Sequence, residues 1–265
     1  MLKKASHLTG NFNSMKKESV IIVEKLTKRY GDFTAVNDIS FQVQEGEIFG
    51  LLGPNGAGKT TTLEIIETLR EKTSGKVVVA GFDLDRDPLE IKKVIGVQLQ
   101  AVGYYPNLNL KQIIELFAGL YNKKIDPLTL LDKVDLRDKA RNKFKELSGG
   151  QKQRFSIATT LINDPGIIFL DEPTTGLDPH ARRNLWELIR QLNTQGVTVV
   201  ITTHYMDEAE YLCDRVAIVD AGRIIAIDSP EELIDNLLQS GFQSERMYKP
   251  ANLEDVFLSL TGKRI

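Results

Sequence analysis

At 265 residues, 42% hydrophobic and 26% charged, the chain has the composition of an ordinary globular protein, long enough to bury roughly three quarters of its unfolded surface. A formal net charge of -2 gives no global field to hold a polyanion, so no nucleic-acid partner is expected. The single cysteine, Cys213, excludes an intrachain disulfide and fits a reducing cytosol. The longest apolar runs, such as Val20 to Val23 and Ile167 to Leu170, fall far short of the roughly 18 residues that a membrane span needs.

Residues 1–14 are polar, with lysines at 3 and 4 and no apolar stretch after them, so they do not read as a signal peptide. A disordered leader is expected over 1–17. Beyond Met15, short β-branched runs alternate with helical patterns, which predicts an α/β fold with a mainly parallel sheet flanked by helices. Strands are predicted at Val20 to Lys25, Ser40 to Val43, Ile48 to Leu52, Lys76 to Val79, Val94 to Leu99, Gly166 to Leu170, Val197 to Thr202 and Arg215 to Val219. Asp220-Ala221-Gly222 then turns the chain into Arg223 to Ile227 as a hairpin. From Leu110 to Glu146 the strands stop, and Leu110, Ile113, Ile114, Phe117, Leu120 and Tyr121 recur at helical spacing. A later helix is capped by Asp178, takes Pro179 in its first turn, carries the stripe Leu185, Leu188, Ile189 and Leu192, and ends at Gly196. Trp186 lies beside that stripe and reads as core packing.

The segment Gly53-Pro54-Asn55-Gly56-Ala57-Gly58-Lys59-Thr60 has the pattern of a phosphate-binding loop, with a strand before it and a helical pattern, Thr61 to Leu69, after it. Its glycines let successive N–H groups point at one anion, and the helix N-terminus adds a favourable dipole. Lys59 is placed to reach terminal phosphates, and the Thr60 hydroxyl to hold Mg2+. A second acidic element fits the first: the buried-strand run Ile167 to Leu170 ends in Asp171-Glu172, at the strand edge where α/β sheets bind ligands. Asp171 is positioned for the metal shell, and Glu172 to take a proton from an attacking water.

These residues define a P-loop NTPase; the next ones carry a family resemblance. Leu147-Ser148-Gly149-Gly150-Gln151, shortly before the acidic strand, resembles the signature of ATP-binding-cassette (ABC) proteins. Ser148 is suited to cap a helix whose free N–H groups face an anion. The resemblance covers about residues 18–228. It implies a RecA-like core with a mainly parallel sheet, an antiparallel β subdomain and a helical insertion at about 101–155, followed by an extension over 229–265. By the same resemblance Tyr30 stacks on adenine, although strand-end packing would also explain it. Thr61 completes the set of residues, 53–61, on which ATP and Mg2+ are expected to bind. Gln100 touches Mg2+ and the attacking water, with Gln98 as a rival for that position. Asp178 is the aspartate of the loop between the halves, or a helix cap, or both. His204 contacts the γ-phosphate.

The implied function is ATP hydrolysis in a head-to-tail dimer, formed with a second copy or a paralogous ATPase. The dimer would drive a separate transmembrane permease from the cytoplasmic face of the membrane. The tail segments Ser229 to Leu233 and Leu253 to Gly262 resemble the ending of ABC-2 type, drug-resistance exporter ATPases; the second would pack either on another subunit or on its own domain. A GTPase would need an Asn-Lys-x-Asp element, which does not occur. A small-molecule kinase would leave the Ser148 helix start and His204 unexplained. A nonmembrane cassette acting on ribosomes or DNA usually carries two cassettes or a long coiled-coil insertion, and this sequence has neither.

Overall fold

A long antiparallel hairpin opens the fold in the computed structural model, which describes residues 18–98, 103–242 and 253–261. The expected leader and Gln100 lie outside the described residues. Strand β1 (Ser19–Tyr30) pairs with β2 (Phe33–Gln44), and Gly31, at φ 58°, begins the two-residue turn between them. Both strands are longer than predicted. Lys25 at φ 49° and Asp38 at φ 55° sit at irregularities in the pairing, and such bulges interrupt the period of two on which a strand is recognised.

Next come β3 (Ile48–Leu52), α1 (Lys59–Ile66), β4 (Ser74–Val79), β5 (Phe82–Asp83), α2 (Pro88–Val94) and β6 (Ile95–Gln98). α1 stops short of the predicted Leu69, because Thr68 at φ 65° turns the chain out of the helix. Val94 closes α2, with Pro88 in its first turn, and does not begin a strand as predicted. The helical region contains α3 (Leu110–Leu120), α4 (Pro127–Asp132) and α5 (Gly149–Thr160). On α3, Leu110, Ile113 and Ile114 are buried, whereas Leu120 and the following Tyr121 are exposed; the apolar stripe ends one turn earlier than the spacing suggests. The chain continues through β7 (Ile167–Asp171), α6 (Pro179–Thr194), β8 (Thr198–Thr203), α7 (Met206–Leu212), β9 (Arg215–Asp220) and β10 (Arg223–Asp228). Its tail forms α8 (Pro230–Gln239) and α9 (Leu253–Thr261).

The strands form two sheets. β2-β1-β4-β5 is antiparallel throughout. In β10-β9-β3-β8-β7-β6 only the edge strand β10 runs antiparallel. β3 and β7 are buried on both faces, so alternate side chains feed two cores. Phe49, Leu51 and Phe169 meet Ile21, Val23 and Phe41 of the antiparallel sheet together with Leu63 and Ile66 of α1; Phe41 stacks on Phe49 with ring centroids 5.3 Å apart. Ile48, Leu52, Ile168 and Leu170 face the helices. α9 packs on its own chain: Leu253 and Val256 are buried, and the Leu253 N–H donates to the Glu210 carboxylate of α7. This architecture holds the C-terminal ends of β3, β7 and β8 side by side.

Candidate functional site

Residues 53–60 run from β3 into α1 as a loop anchored on both sides. The Gly53 N–H donates to the Thr203 carbonyl at 3.2 Å, and the Gly222 N–H, in the β9–β10 turn, donates to the Ala57 carbonyl at 3.0 Å. Within the loop the Ala57 N–H donates to the Pro54 carbonyl at 3.2 Å, while Asn55 and Gly56 at its crest stay exposed. A Cβ at Gly53 would stand 2.1 Å from the Val219 carbonyl oxygen, and one at Gly58 would stand 2.4 Å from that of Ala35. The loop therefore needs glycine at both points because neighbouring backbone passes in contact. α1 starts at Lys59, so its first N–H groups lack intrahelical partners and are available to an anion.

The polar side chains gather at this edge. Lys59 is 3% exposed; its Nζ donates to the Gly53 carbonyl at 2.8 Å and the Pro54 carbonyl at 3.0 Å, and lies 3.6 Å from Glu172 Oε1. Burial lowers the Lys59 pKa, opposed by the carboxylates of Glu172 and then Asp171. The hydroxyls of Thr60, at 3.2 Å, and Thr202 both donate to Asp171 Oδ1. Burial raises the Asp171 pKa against those two hydrogen bonds. Glu172 follows directly, at φ 46°, a conformation that non-glycine residues hold only where their surroundings enforce it. Its N–H donates to Thr202 Oγ1 at 3.0 Å, and its Oε1 lies 3.3 Å from His204 Nδ1. Beneath the site, Glu67 at the end of α1 is pushed up to about 8 by burial, with the Asp171 and Glu64 carboxylates adding to the shift. The shift favours the uncharged form of Glu67 beside Asp171.

A cleft of about 360 Å3 opens over this edge. One wall is Tyr30, Phe33 and Ala35; the other is Asn55, Gly56, Gly58, Lys59, Thr60 and Thr61, with Glu172 at the end. Tyr30 is 42% exposed, with Lys28 Nζ 5.1 Å and Arg70 Cζ 5.6 Å from its ring centroid. Phe33, which no motif in the sequence marks, also lines the cleft. It pairs with Tyr30 across the hairpin turn and is 63% exposed; the signal for it was the hairpin register, which the predicted strands did not contain.

The signature residues stand apart from this cleft. Ser148 caps α5, accepting from the Gln151 N–H at 3.3 Å while Gln151 Oε1 accepts from the Ser148 N–H at 3.0 Å, a reciprocal box. Ser148 and Gly149 are exposed, and none of Ser148, Gly149, Gly150 and Gln151 lines the cleft. A Cβ at Gly150 would approach that of Ala181 to 3.1 Å, so this glycine lets α5 lie close to α6. Asp178 caps α6, accepting from the His180 and Ala181 N–H groups at 3.0 and 2.9 Å; these bonds hold its carboxyl below the usual range. Gln98 is buried and donates to Gln153 at 2.6 Å, so its side chain is directed at α5 and does not line the cleft.

A glycine loop between a parallel strand and a helix, with Lys59, Asp171, Glu172 and His204 around it, defines the chain as a P-loop nucleotide-binding protein. The family model for ABC transporters matches residues 36–175. Among similar curated proteins, a probable multidrug ABC transporter ATP-binding protein, YbhF of Escherichia coli, is 43% identical over 82% of this chain, which spans only 38% of that relative's length. Nod factor export ATP-binding protein I of Rhizobium etli is 42% identical over 80% of this chain and 69% of its own. A solved dimeric ATP-binding cassette bound to ADP and Pi superposes with a TM-score of 0.70, at 29% identity over 79% of this chain and 98% of its own. The chain belongs to the ABC transporter family and is one of its ATP-binding cassettes.

Proposed function

We propose that this chain is the ATP-hydrolysing subunit of an ABC exporter, working at the cytoplasmic face of the membrane beneath a separate transmembrane permease. The observation that carries this reading is the convergence of Lys59, Asp171, Glu172 and His204 at one sheet edge, beside a cleft open to solvent. ATP would lie with its phosphates on residues 53–61 and its base against Tyr30. That aromatic ring, 42% exposed at the cleft wall, suits stacking. Thr60 and Asp171 would hold Mg2+. One hydroxyl and one carboxylate, 3.2 Å apart, suit a hard ion that takes its other ligands from water and phosphate. When bound, Mg2+ would neutralise charge on the terminal phosphates.

Glu172 would accept the proton of the attacking water, with His204 beside it to contact the γ-phosphate. Gln100, by resemblance, would orient that water and reach the metal. Ser148 to Gln151 do not line their own chain's cleft, which supports closure over the nucleotide of a second copy or a paralogous ATPase in a head-to-tail dimer. Asp178 would then lie between the halves. A similar solved cassette is dimeric, which supports pairing of two cassettes. Hydrolysis would remove the phosphate joining the halves, and their opening would be the mechanical output. Export is supported by the names of the relatives, which refer to multidrug transport and Nod factor export.

Purified chain supplied with ATP and Mg2+ is expected to release ADP and phosphate with water as the only acceptor, and chelation of the ion is expected to stop it. Turnover that depends on an added hydroxyl or amine acceptor would assign the site to a kinase.

A further inference from the structure

Glu208, in the first turn of α7, is 0% exposed, and the reaction as proposed does not use it. Burying a carboxyl is costly unless its partners hold it. Its Oε1 accepts from the Trp186 indole N–H of α6 at 2.8 Å. Its Oε2 and the hydroxyl of Thr174, which is also 0% exposed, are buried without a formed hydrogen bond. Thr203, Trp186 and Thr174 are the polar side chains facing the carboxyl, and Arg182 is the nearby cation. Three segments thus converge on one side chain: the turn that leaves Glu172, the residue before His204, and the helix that Asp178 caps.

Neighbouring contacts link each segment to the reacting groups. The Thr175 N–H donates to the Glu172 carbonyl at 3.2 Å and the Leu177 N–H to the Thr174 carbonyl at 3.1 Å, so Thr174 sits in a tight turn that begins at Glu172. Thr203 Oγ1 accepts from the Tyr205 N–H at 3.0 Å. The His204 and Tyr205 rings lie 4.2 Å apart. Arg182 covers the Tyr205 ring at 4.3 Å and pairs with Asp207 at 3.3 Å. A hydrocarbon of similar volume would fill the site without the desolvation cost of an acid, so packing alone does not account for Glu208.

We propose that Glu208 is a positioning residue: bonded to Trp186 and facing Thr174 and Thr203, it holds Glu172 and His204 beside one another at the sheet edge. This rests on the assignment of those two residues to ATP hydrolysis. The test is steady-state MgATP hydrolysis by the full chain, with thermal melting to score folding. Glu208→Ala is expected to lower kcat about tenfold and leave KM within about twofold, because misplacing a reacting group costs rate more than ground-state binding. Glu208→Gln keeps an acceptor for Trp186 and gains a donor for Thr174, so kcat is expected to stay within about threefold of the parent.

Trp186→Phe keeps an aromatic ring, though a smaller one, and removes the N–H; its kcat is expected to fall, and the double variant to be no slower than Glu208→Ala alone. Lower melting temperatures with parental kcat in every folded variant would overturn the proposal. If Glu208→Ala does not fold, Trp186→Phe decides, and an unchanged kcat there is the contrary result. A parent chain that hydrolyses no ATP refutes instead the function on which the proposal depends.

Discussion

Glu172→Gln is expected to bind ATP as tightly as the parent chain, to hydrolyse it about a hundredfold to ten-thousandfold more slowly, and to accumulate as a dimer in MgATP. The substitution keeps the size and polarity of the side chain and removes only its capacity to take a proton. The surroundings should survive it. The Glu172 N–H still donates to Thr202, and the Thr175 hydroxyl, which donates to Glu172 Oε2 at 3.2 Å, can still be accommodated by the amide. Lys59 loses a carboxylate 3.6 Å away, which leaves its charge freer for phosphate. With the bridging phosphate retained, a closed dimer would not part. Light scattering at saturating MgATP reads this directly, and a monomer there would contradict the head-to-tail assignment of Ser148 and the phosphate loop.

Lys59→Ala has the opposite profile. It is expected to raise the dissociation constant for ATP about tenfold to a hundredfold, the worth of a charge-assisted hydrogen bond lost from a buried site. In the structure the Lys59 ammonium rests on the Gly53 and Pro54 carbonyls, so the phosphates of bound ATP would replace those acceptors. Removing Lys59 also leaves both carbonyls and Glu172 without their cation, so loop order should fall with affinity. Equilibrium binding of ATP to the purified variant checks this. Unchanged affinity would remove Lys59 from the phosphate site.

The features legible in the sequence were those encoded locally. The phosphate loop needs glycine where backbone passes within contact, at Gly53 and Gly58, and that requirement leaves a visible spacing. The helix starts at Ser148 and Asp178 are equally local, since each cap bonds N–H groups within three residues. β3 and β7 stood out because strands buried on both faces are continuously apolar.

The features that local sequence does not show depend on distant partners. The β1–β2 hairpin is bulged at Lys25 and Asp38, so its period breaks and gives no sign of Phe33 at its turn as a cleft wall. α2 is only seven residues long, too short for a helical stripe to show. Glu208 reads in sequence as an ordinary acid in a first helical turn. Its burial follows from α7 packing on α6 and β8, and no local pattern announces that. Gln98 ends β6 and Gln100 lies two positions further along the sequence, outside the described residues; spacing alone does not separate them, and the burial of Gln98 against Gln153 takes it away from the cleft.

Affinity purification of the chain from detergent-solubilised membranes of the cell that makes it reads most directly whether this cassette drives a permease. The eluates, with and without MgATP, would be identified by mass spectrometry. An integral membrane protein that lacks a nucleotide-binding domain of its own is expected to be recovered, in an amount that changes with nucleotide. Recovery of ribosomal or DNA-bound proteins, with no membrane partner in either state, would overturn the assignment to a transporter.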